Sequence, residues 1–365
     1  MPIDRRAAAS PFHLKSSSSF LFKLRRSRPN FVFGFLLTRL IKGAVTCITE
    51  RRTKLEITIL SGNERSCRLF SFVIFFSKSD FFIPTFKKIS KARLDGKVAI
   101  ITGCNSGMGK ETAMELYKRG KLPEYSLVLI SHVESTSQTH KNIIGSEEHI
   151  HLLVNNAGAF FPTRELTQDG HELQFQTNYL GHFLFTMLLL PKIMKSAPAR
   201  IITVSSIAYI WGDAKMHYDD ITLERSYTPY KAYIRSKLAN VIFSAELARR
   251  LEGTEVTTYS LHPGLVATDI FRHLEEMPDV SKFWKCIFLS RYSKLYYKSA
   301  RCGAETILHC CLDENAGKET GLYYTDCKPR KLIKRARNQE EAKRLWAYSW
   351  TAVGLSKDHD PFVKC

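Results

Sequence analysis

Short apolar runs recur along the chain from Lys97 onward, at residues 98–101, 127–130, 152–154, 201–204, 256–261 and 322–324. Runs of this length without polar alternation suit strands covered on both faces, because a strand open to water on one side alternates instead. Longer stretches of mixed character separate them, and 110–119 and 232–251 have the spacing of helices. Strand and helix in alternation predict an α/β fold built on a parallel sheet. Right-handed crossovers then gather the strand ends, and any ligand, along one edge of that sheet.

The first run leads straight into Thr102-Gly103-Cys104-Asn105-Ser106-Gly107-Met108-Gly109, and a helical stretch follows. Strand, glycine turn and helix form the setting in which a loop can hold a dinucleotide. Glycine lets the backbone turn tightly and approach a pyrophosphate, and the helix start offers free N–H groups and the positive end of its dipole. Three glycines alone mark an ordinary turn about as often.

Three other strand ends or helices carry candidate chemistry. Leu152-Leu153-Val154 runs into Asn155-Asn156-Ala157-Gly158, which alone reads as a strand-end turn. The run 201–204 ends in Ser205-Ser206, a pair that alone reads as a helix cap. In the helix at 232–251, Tyr233 and Lys237 stand four residues apart and so share one face. A phenol near pKa 10 is no base at neutral pH; a neighbouring ammonium, and a positive nicotinamide ring, would lower it.

Taken together and in order, these motifs resemble those of the short-chain dehydrogenase/reductase family. That pattern is Thr-Gly-x-x-x-Gly-x-Gly, Asn-Asn-Ala-Gly, a helical Asn, a Ser, Tyr-x-x-x-Lys and Pro-Gly. This chain supplies Gly103, Gly107 and Gly109, then Asn155 to Gly158, then Asn178, Ser206, Tyr233, Lys237, Pro263 and Gly264. Leu94-Asp95-Gly96-Lys97, Ser236-Lys237-Leu238-Ala239-Asn240, the long insert between Ser206 and Tyr233, Leu261-His262-Pro263-Gly264 and Gly321-Leu322-Tyr323-Tyr324 resemble the retinol dehydrogenase branch, types 11 to 14. The resemblance covers about residue 90 to the C-terminus. It implies a Rossmann-like doubly wound parallel sheet. Tyr233 would be the general acid/base, Lys237 its modulator and a ribose ligand, Ser206 a hydrogen-bond partner of the reacting oxygen, and Asn178 the holder of a water that links Lys237 to solvent. Gly103, Asn105, Ser106, Gly107, Met108 and Gly109, with Asn155, Ala157 and Gly158, would cradle the coenzyme. Pro263, Gly264 and Thr268 would line its nicotinamide. The implied coenzyme is NADP(H), with NAD(H) left open. The implied substrate is a lipophilic alcohol or its aldehyde or ketone, retinoid-like, with no metal.

One spacing departs from that pattern. Gly103 and Asn155 are 52 positions apart, whereas three helices, three strands and their connections need roughly 70. About one strand–helix unit after the first helix is therefore absent. By register the run 127–130 matches the third strand, and the family's adenine-side acidic residue is replaced by Leu129. The second strand normally ends in the residue that reads the adenosine ribose. If 127–130 takes that strand's place instead, Ser131 and His132 are the nearest readers. A second function class follows, a non-catalytic variant with a defective coenzyme pocket that acts by binding membranes or partners.

Charge and composition refine the picture at the N-terminus. The formal charge is +19, yet residues 1–90 hold 17 Lys/Arg against 5 Asp/Glu and carry +12 of it. The excess belongs to the leader, so it is no nucleic-acid footprint of the body. Residues 1–89 form a separate basic leader and 90–365 the dehydrogenase domain. Arginines and a serine run with few acids have the composition of a targeting peptide. Apolar stretches at 31–49 and 69–86 are broken by Arg39, Lys42, Lys78, Asp80 and Pro84, too interrupted for a clean span. Membrane association is expected, with the endoplasmic reticulum favoured over the mitochondrion and a spanning helix disfavoured. An unstructured or misjoined leader is the alternative. Nine scattered cysteines without a Cys-x-x-Cys pair indicate neither a disulfide framework nor a zinc site; Cys310, Cys311 and His309 read as core or satisfied polar residues. The aromatic, basic segment 282–298 fits a substrate lid by resemblance, a membrane-facing helix, or a helix packed on the core. The charged run 328–337 reads as solvated surface.

Overall fold

A computed structural model describes residues 46–51, 54–59, 90–120, 133–210, 215–266 and 297–362. The chain divides into two compact units, residues 1–74 and 75–365. In the first, β1 (Thr46–Arg51) and β2 (Lys54–Ile59) pair antiparallel, with Thr46 opposite Ile59 and Arg51 opposite Lys54. Residues 46–49 of the first apolar stretch thus lie in a strand; the rest of that stretch and all of 69–86 fall outside the described residues. Among the described residues no helix is long and apolar enough to cross a membrane.

The second unit holds a six-stranded sheet in the order β3 (Ala99–Ile101), β4 (Leu152–Asn155), β5 (Ala199–Val204), β6 (Val256–His262), β7 (Leu322–Thr325) and β8 (Lys328–Arg330). The first five strands are parallel and β8 is antiparallel to β7. Five of the six apolar runs form these strands, and the sixth, 127–130, lies outside the described residues. The charged run at 328 begins with three exposed residues that form β8. Asp326 and Cys327, both left-handed (φ 51° and 56°), make the two-residue turn that a tight hairpin requires. The strand carries exposed charge, which suits a sheet edge.

Strand residues alternate between two cores, as the pleat dictates. Leu153 and Ile201 face a core shared with α2 (Val133–Ser146), α3 (Gly181–Lys195), α4 (Pro229–Arg250) and α6 (Gln339–Ala352). Phe183, Phe243 and Trp346 meet ring to ring there. Leu152, Val154, Ile202 and Val204 face the other core, closed by Leu116 of α1 (Gly107–Tyr117) and Ile307 of α5 (Ala300–Leu312). Both faces are covered, so burial rather than alternation selected the apolar runs. Sheet order follows chain order away from β3, and among the described residues no strand pairs with the other edge of β3. A second winding beyond β3 would fall at 121–132, outside the described residues.

Candidate active site

The C-terminal ends of β4, β5 and β6 converge on the N-terminal half of α4. That helix starts at Pro229, which suits a first turn that needs no N–H, and Thr228 caps it by accepting the Lys231 N–H at 3.1 Å. Two turns in, Lys237 is buried; its Nζ donates to the Val204 carbonyl at 3.2 Å and stands 5.6 Å from the centre of the Tyr233 ring. Asn240, one turn further on, also donates to Val204, at 3.4 Å. The end of β5 is thereby tied to the catalytic face of α4.

The two serines at that strand end divide their work. Ser205 is buried and donates to the Lys237 carbonyl at 2.7 Å. Ser206 is half-buried, hydrogen-bonds the Tyr233 phenol, and accepts the Ala208 N–H at 3.2 Å at the start of a short 3₁₀ turn. It is both the cap and the candidate substrate contact. Phe160 packs its ring 5.4 Å from that of Tyr233 and 5.5 Å from that of Tyr230. Together they make an aromatic wall beside the phenol.

Burial governs the protonation of this pair. It pushes the Tyr233 phenol up to about 12, and the Ser206 hydrogen bond offsets only part of that. It pulls the Lys237 ammonium down to about 8. The sequence led to the expectation that the lysine and a positive nicotinamide ring would lower this phenol, and burial in the protein alone acts the other way. Desolvation is the largest influence on the phenol, because the ring lies in a low-dielectric pocket. In the protein alone Tyr233 is accordingly a neutral phenol at physiological pH.

Asn178 lies where the chain winds wide. Residues 176–180 form a π turn in which Gly181 N–H donates to the Gln176 carbonyl, and α3 continues from it. Turns of this kind inside helices often mark functional positions. The Asn178 side chain is spent on structure: Oδ1 accepts the Ala159 N–H at 2.8 Å, and Nδ2 donates to the Ala159 carbonyl at 2.9 Å and to Ser236 Oγ at 3.1 Å. A Cβ on Gly158 would stand 3.3 Å from Lys237 Nζ and 3.6 Å from Asn178 Oδ1, so the bare glycine lets both groups close on one point.

The glycine loop meets the Asn-Asn-Ala-Gly turn at close quarters. Gly103 is left-handed (φ 66°), and a Cβ on it would lie 2.8 Å from the Ala157 Cα. A Cβ on Gly109 would lie 2.2 Å from the Gly103 carbonyl oxygen and 2.5 Å from Asn156 Nδ2. These positions need glycine because the start of α1 presses onto the turn that precedes it. Asn105 and Ser106 are exposed, and Ser106 makes no side-chain cap to α1. The Met108 side chain instead packs towards Gly303 of α5, so only its main chain belongs to the loop. Asn155 is buried and donates to Thr186 Oγ1 at 2.9 Å, while the buried Oδ1 atoms of Asn155 and Asn156 take no hydrogen bond from any described residue. A bare glycine turn, an uncapped helix start and unsatisfied buried acceptors fit the pyrophosphate-and-nicotinamide side of a dinucleotide. Gly264 (φ 95°) ends the arc beside buried Pro263, with the Lys298 side chain where a Cβ would go. Lys298 is ion-paired with Asp326.

Tyr233, Lys237, Ser206, Asn178, Asn155 and Gly158 are therefore brought to one sheet edge, with the glycine loop alongside. Thr268, Leu129, Ser131 and His132 lie outside the described residues, as does 282–298 apart from Tyr297 and Lys298. Sequence reasoning missed four residues that hold the site. Thr102 and His182 join at 2.8 Å. Glu172 and Arg235 form a buried ion pair at 3.1 Å, with Glu172 also capping residues 173–175 and the Arg235 guanidinium 4.4 Å from the centre of the Phe175 ring. Arg235 stands between Tyr233 and Lys237 in the chain, and His182 stands four residues after Asn178. For His182 the available signal was a polar residue inside the apolar helix α3.

Comparisons agree with this geometry. A family model described as short chain dehydrogenase matches residues 124–279. Human retinol dehydrogenase 12 is 38% identical over 292 residues, which cover 73% of this chain and 89% of that protein. Human retinol dehydrogenase 11 is 37% identical, with 74% and 89% covered. A crystal structure of an uncharacterized protein from Mycobacterium paratuberculosis superposes with a TM-score of 0.56 at 26% identity, covering 72% of this chain and 95% of that one. The chain belongs to the short-chain dehydrogenase family, in its retinol dehydrogenase branch, and is an oxidoreductase of that class. The alignment with retinol dehydrogenase 12 runs over 292 positions but takes in 73% of 365 residues, about 266, so about 26 positions of the relative lack a counterpart here. That is about the length of one helix and one strand with their connections.

Proposed function

We propose that this chain is an NADP(H)-dependent oxidoreductase that interconverts a lipophilic, retinoid-like alcohol and its aldehyde or ketone. The observation that carries the reading is the convergence of Tyr233, Ser206 and Lys237 beside an aromatic wall, next to a bare glycine turn. A bound nicotinamide coenzyme would supply the hydride chemistry. Ser206 would orient the reacting oxygen, and the neutral Tyr233 phenol would give that oxygen its proton in the reduction direction. Lys237 Nζ, with one donor on Val204, has others to offer to a ribose hydroxyl. Phe160 and Tyr230 would exclude water from the reacting carbon. We assign residues 1–89 to a membrane-associating leader, at the endoplasmic reticulum, and 90–365 to the catalytic domain; co-flotation of the full chain with vesicles, lost on removal of 1–89, tests this. For the activity, the full chain is assayed with NADPH or NADH on retinal and a series of long-chain aldehydes. Turnover with NADPH is expected; no turnover with either coenzyme on any member sinks the reading.

A second reading has its own support. β3 ends the described sheet, and about 26 positions of a relative have no counterpart. The wall that holds adenosine would then be incomplete, and the protein would act by binding membranes or partners. Titration of NADPH against the protein separates the two, since this variant would show no saturable binding.

A further inference from the structure

Asn178, His182 and Thr186 stand at four-residue intervals and share one side of the π turn and α3. All three are buried, and each reaches a different part of the strand ends beside the glycine loop. Asn178 holds Ala159 through both side-chain atoms, and Thr186 accepts from Asn155. His182 Nε2 lies 2.8 Å from Thr102 Oγ1, the residue that opens the glycine loop, and its Nδ1 lies 3.2 Å from the Asn178 carbonyl.

The direction of every proton in this chain follows by counting. The Asn178 carbonyl can only accept, so Nδ1 carries the ring proton. Thr102 Oγ1 accepts the N–H groups of Asn156 and Ala157, both at 2.9 Å, which fill its two lone pairs. Its own proton is then left for Nε2, since the other acceptor, the Val154 carbonyl, is further away at 3.4 Å. Neutral imidazole with its proton on Nδ1 satisfies every partner. Burial, with the Lys237 charge adding to it, pushes the ring down to about 3, which keeps it neutral.

We propose that His182 is a positioning residue that couples the coenzyme turn to the catalytic helix. It does so through one ordered chain, from the Asn156 and Ala157 N–H groups through Thr102 and the imidazole to the Asn178 carbonyl. A ring of fixed tautomer sets the distance between the Thr102–Gly103 turn and the π turn beside Lys237. The kinetic consequence rests on the proposed oxidoreductase activity; the tautomer does not.

Two variants divide the ring. Asn at 182 places a donor where Nδ1 stands and keeps the bond to Asn178 while losing Thr102. Gln reaches the Nε2 position and keeps Thr102 while losing Asn178. With the full chain, His182→Asn is expected to weaken NADPH binding about tenfold, the size of one buried hydrogen bond, and to affect turnover less. His182→Gln is expected to lower kcat about tenfold and to affect NADPH binding less. Parallel losses in both variants, or a fall in melting temperature alone, overturn the proposal. In ¹⁵N-histidine-labelled wild-type protein the His182 ring, assigned by its absence in His182→Gln, is expected to carry its proton on Nδ1 and not to titrate between about pH 5 and 9. A proton on Nε2, or titration near the ordinary histidine value, overturns it without any turnover. If the wild type binds no NADPH, the proposed activity fails while the ring measurement still judges the coupling.

Discussion

The catalytic side of the sheet edge and its coenzyme side are built by different means. Around α4, every functional side chain is held from several directions. Lys237 is tied to β5, Asn178 to Ala159 and Ser236, and Arg235 to Glu172 and to the Ile221 carbonyl. The glycine loop leans on one three-residue strand with one described neighbour, exposes Asn105 and Ser106, and has room at Gly103 and Gly109 for no side chain, with Thr102 and Asn156 bonding its first turn. The Tyr233–Lys237 side is thus built from long side chains, and the glycine-loop side depends on close backbone approach. A change that ruins one need not touch the other.

Tyr233→Phe should separate the two sides most sharply. It removes the proton donor and little volume, so kcat should fall by about 10²–10⁴-fold while NADPH affinity holds. Equal losses in turnover and in NADPH binding by fluorescence titration would show that the two sides are not separable. Next in size is Arg235→Met, which strands the buried Glu172 carboxylate and should cost about 3–5 kcal/mol in chemical denaturation. Adding Glu172→Gln, which removes the charge and keeps an acceptor for the Gln174 and Phe175 N–H groups, should recover part of that, and no recovery would place the pair's value in geometry rather than charge. Gly109→Ala attacks the other side. Its methyl meets the Gly103 carbonyl, and overpacking of this kind costs about 1–3 kcal/mol, so NADPH binding should weaken about tenfold or more while the melting temperature moves less than with Arg235→Met.

The smallest effect is a pH slope. His182 and His262 are buried, and burial brings both down to about 3, against an ordinary value of 6.5. For a base depressed on folding, the stabilisation is full above pH 6.5 and is lost as pH falls towards 3, because the unfolded chain takes up the proton. Denaturation between pH 8 and 5 should show stability falling on the acid side, with a slope approaching about 1.4 kcal/mol per pH unit for each histidine. His182→Gln should remove its share of that slope, and an unchanged slope would break the assignment.

Several of these groups left clear traces in the chain. Gly103, Gly109, Asn155, Ser206, Tyr233 and Lys237 stand in spacings that backbone geometry and proton transfer demand, and five apolar runs marked their strands because both faces of the sheet are covered. Boundaries drifted slightly: α1 begins at Gly107, three residues earlier than its apolar pattern, since the glycines belong to the helix start. The edge strand β8 was hidden under charge. Its pairing depends on two left-handed residues, Asp326 and Cys327, neither of them the glycine that usually announces such a turn.

Local composition and spacing thus determined by themselves the fold class, the order of the motifs and the candidate residues at the sheet edge, because each is dictated within a few positions of chain. Tertiary structure decided what sustains them. His182 meets Thr102 across 80 positions and Arg235 meets Glu172 across 63, contacts that no local pattern encodes. It also sets the solvation of Tyr233. Spacing on a helix places an ammonium near a phenol, but only the packed protein sets how much water both have lost, and desolvation is the largest influence on each.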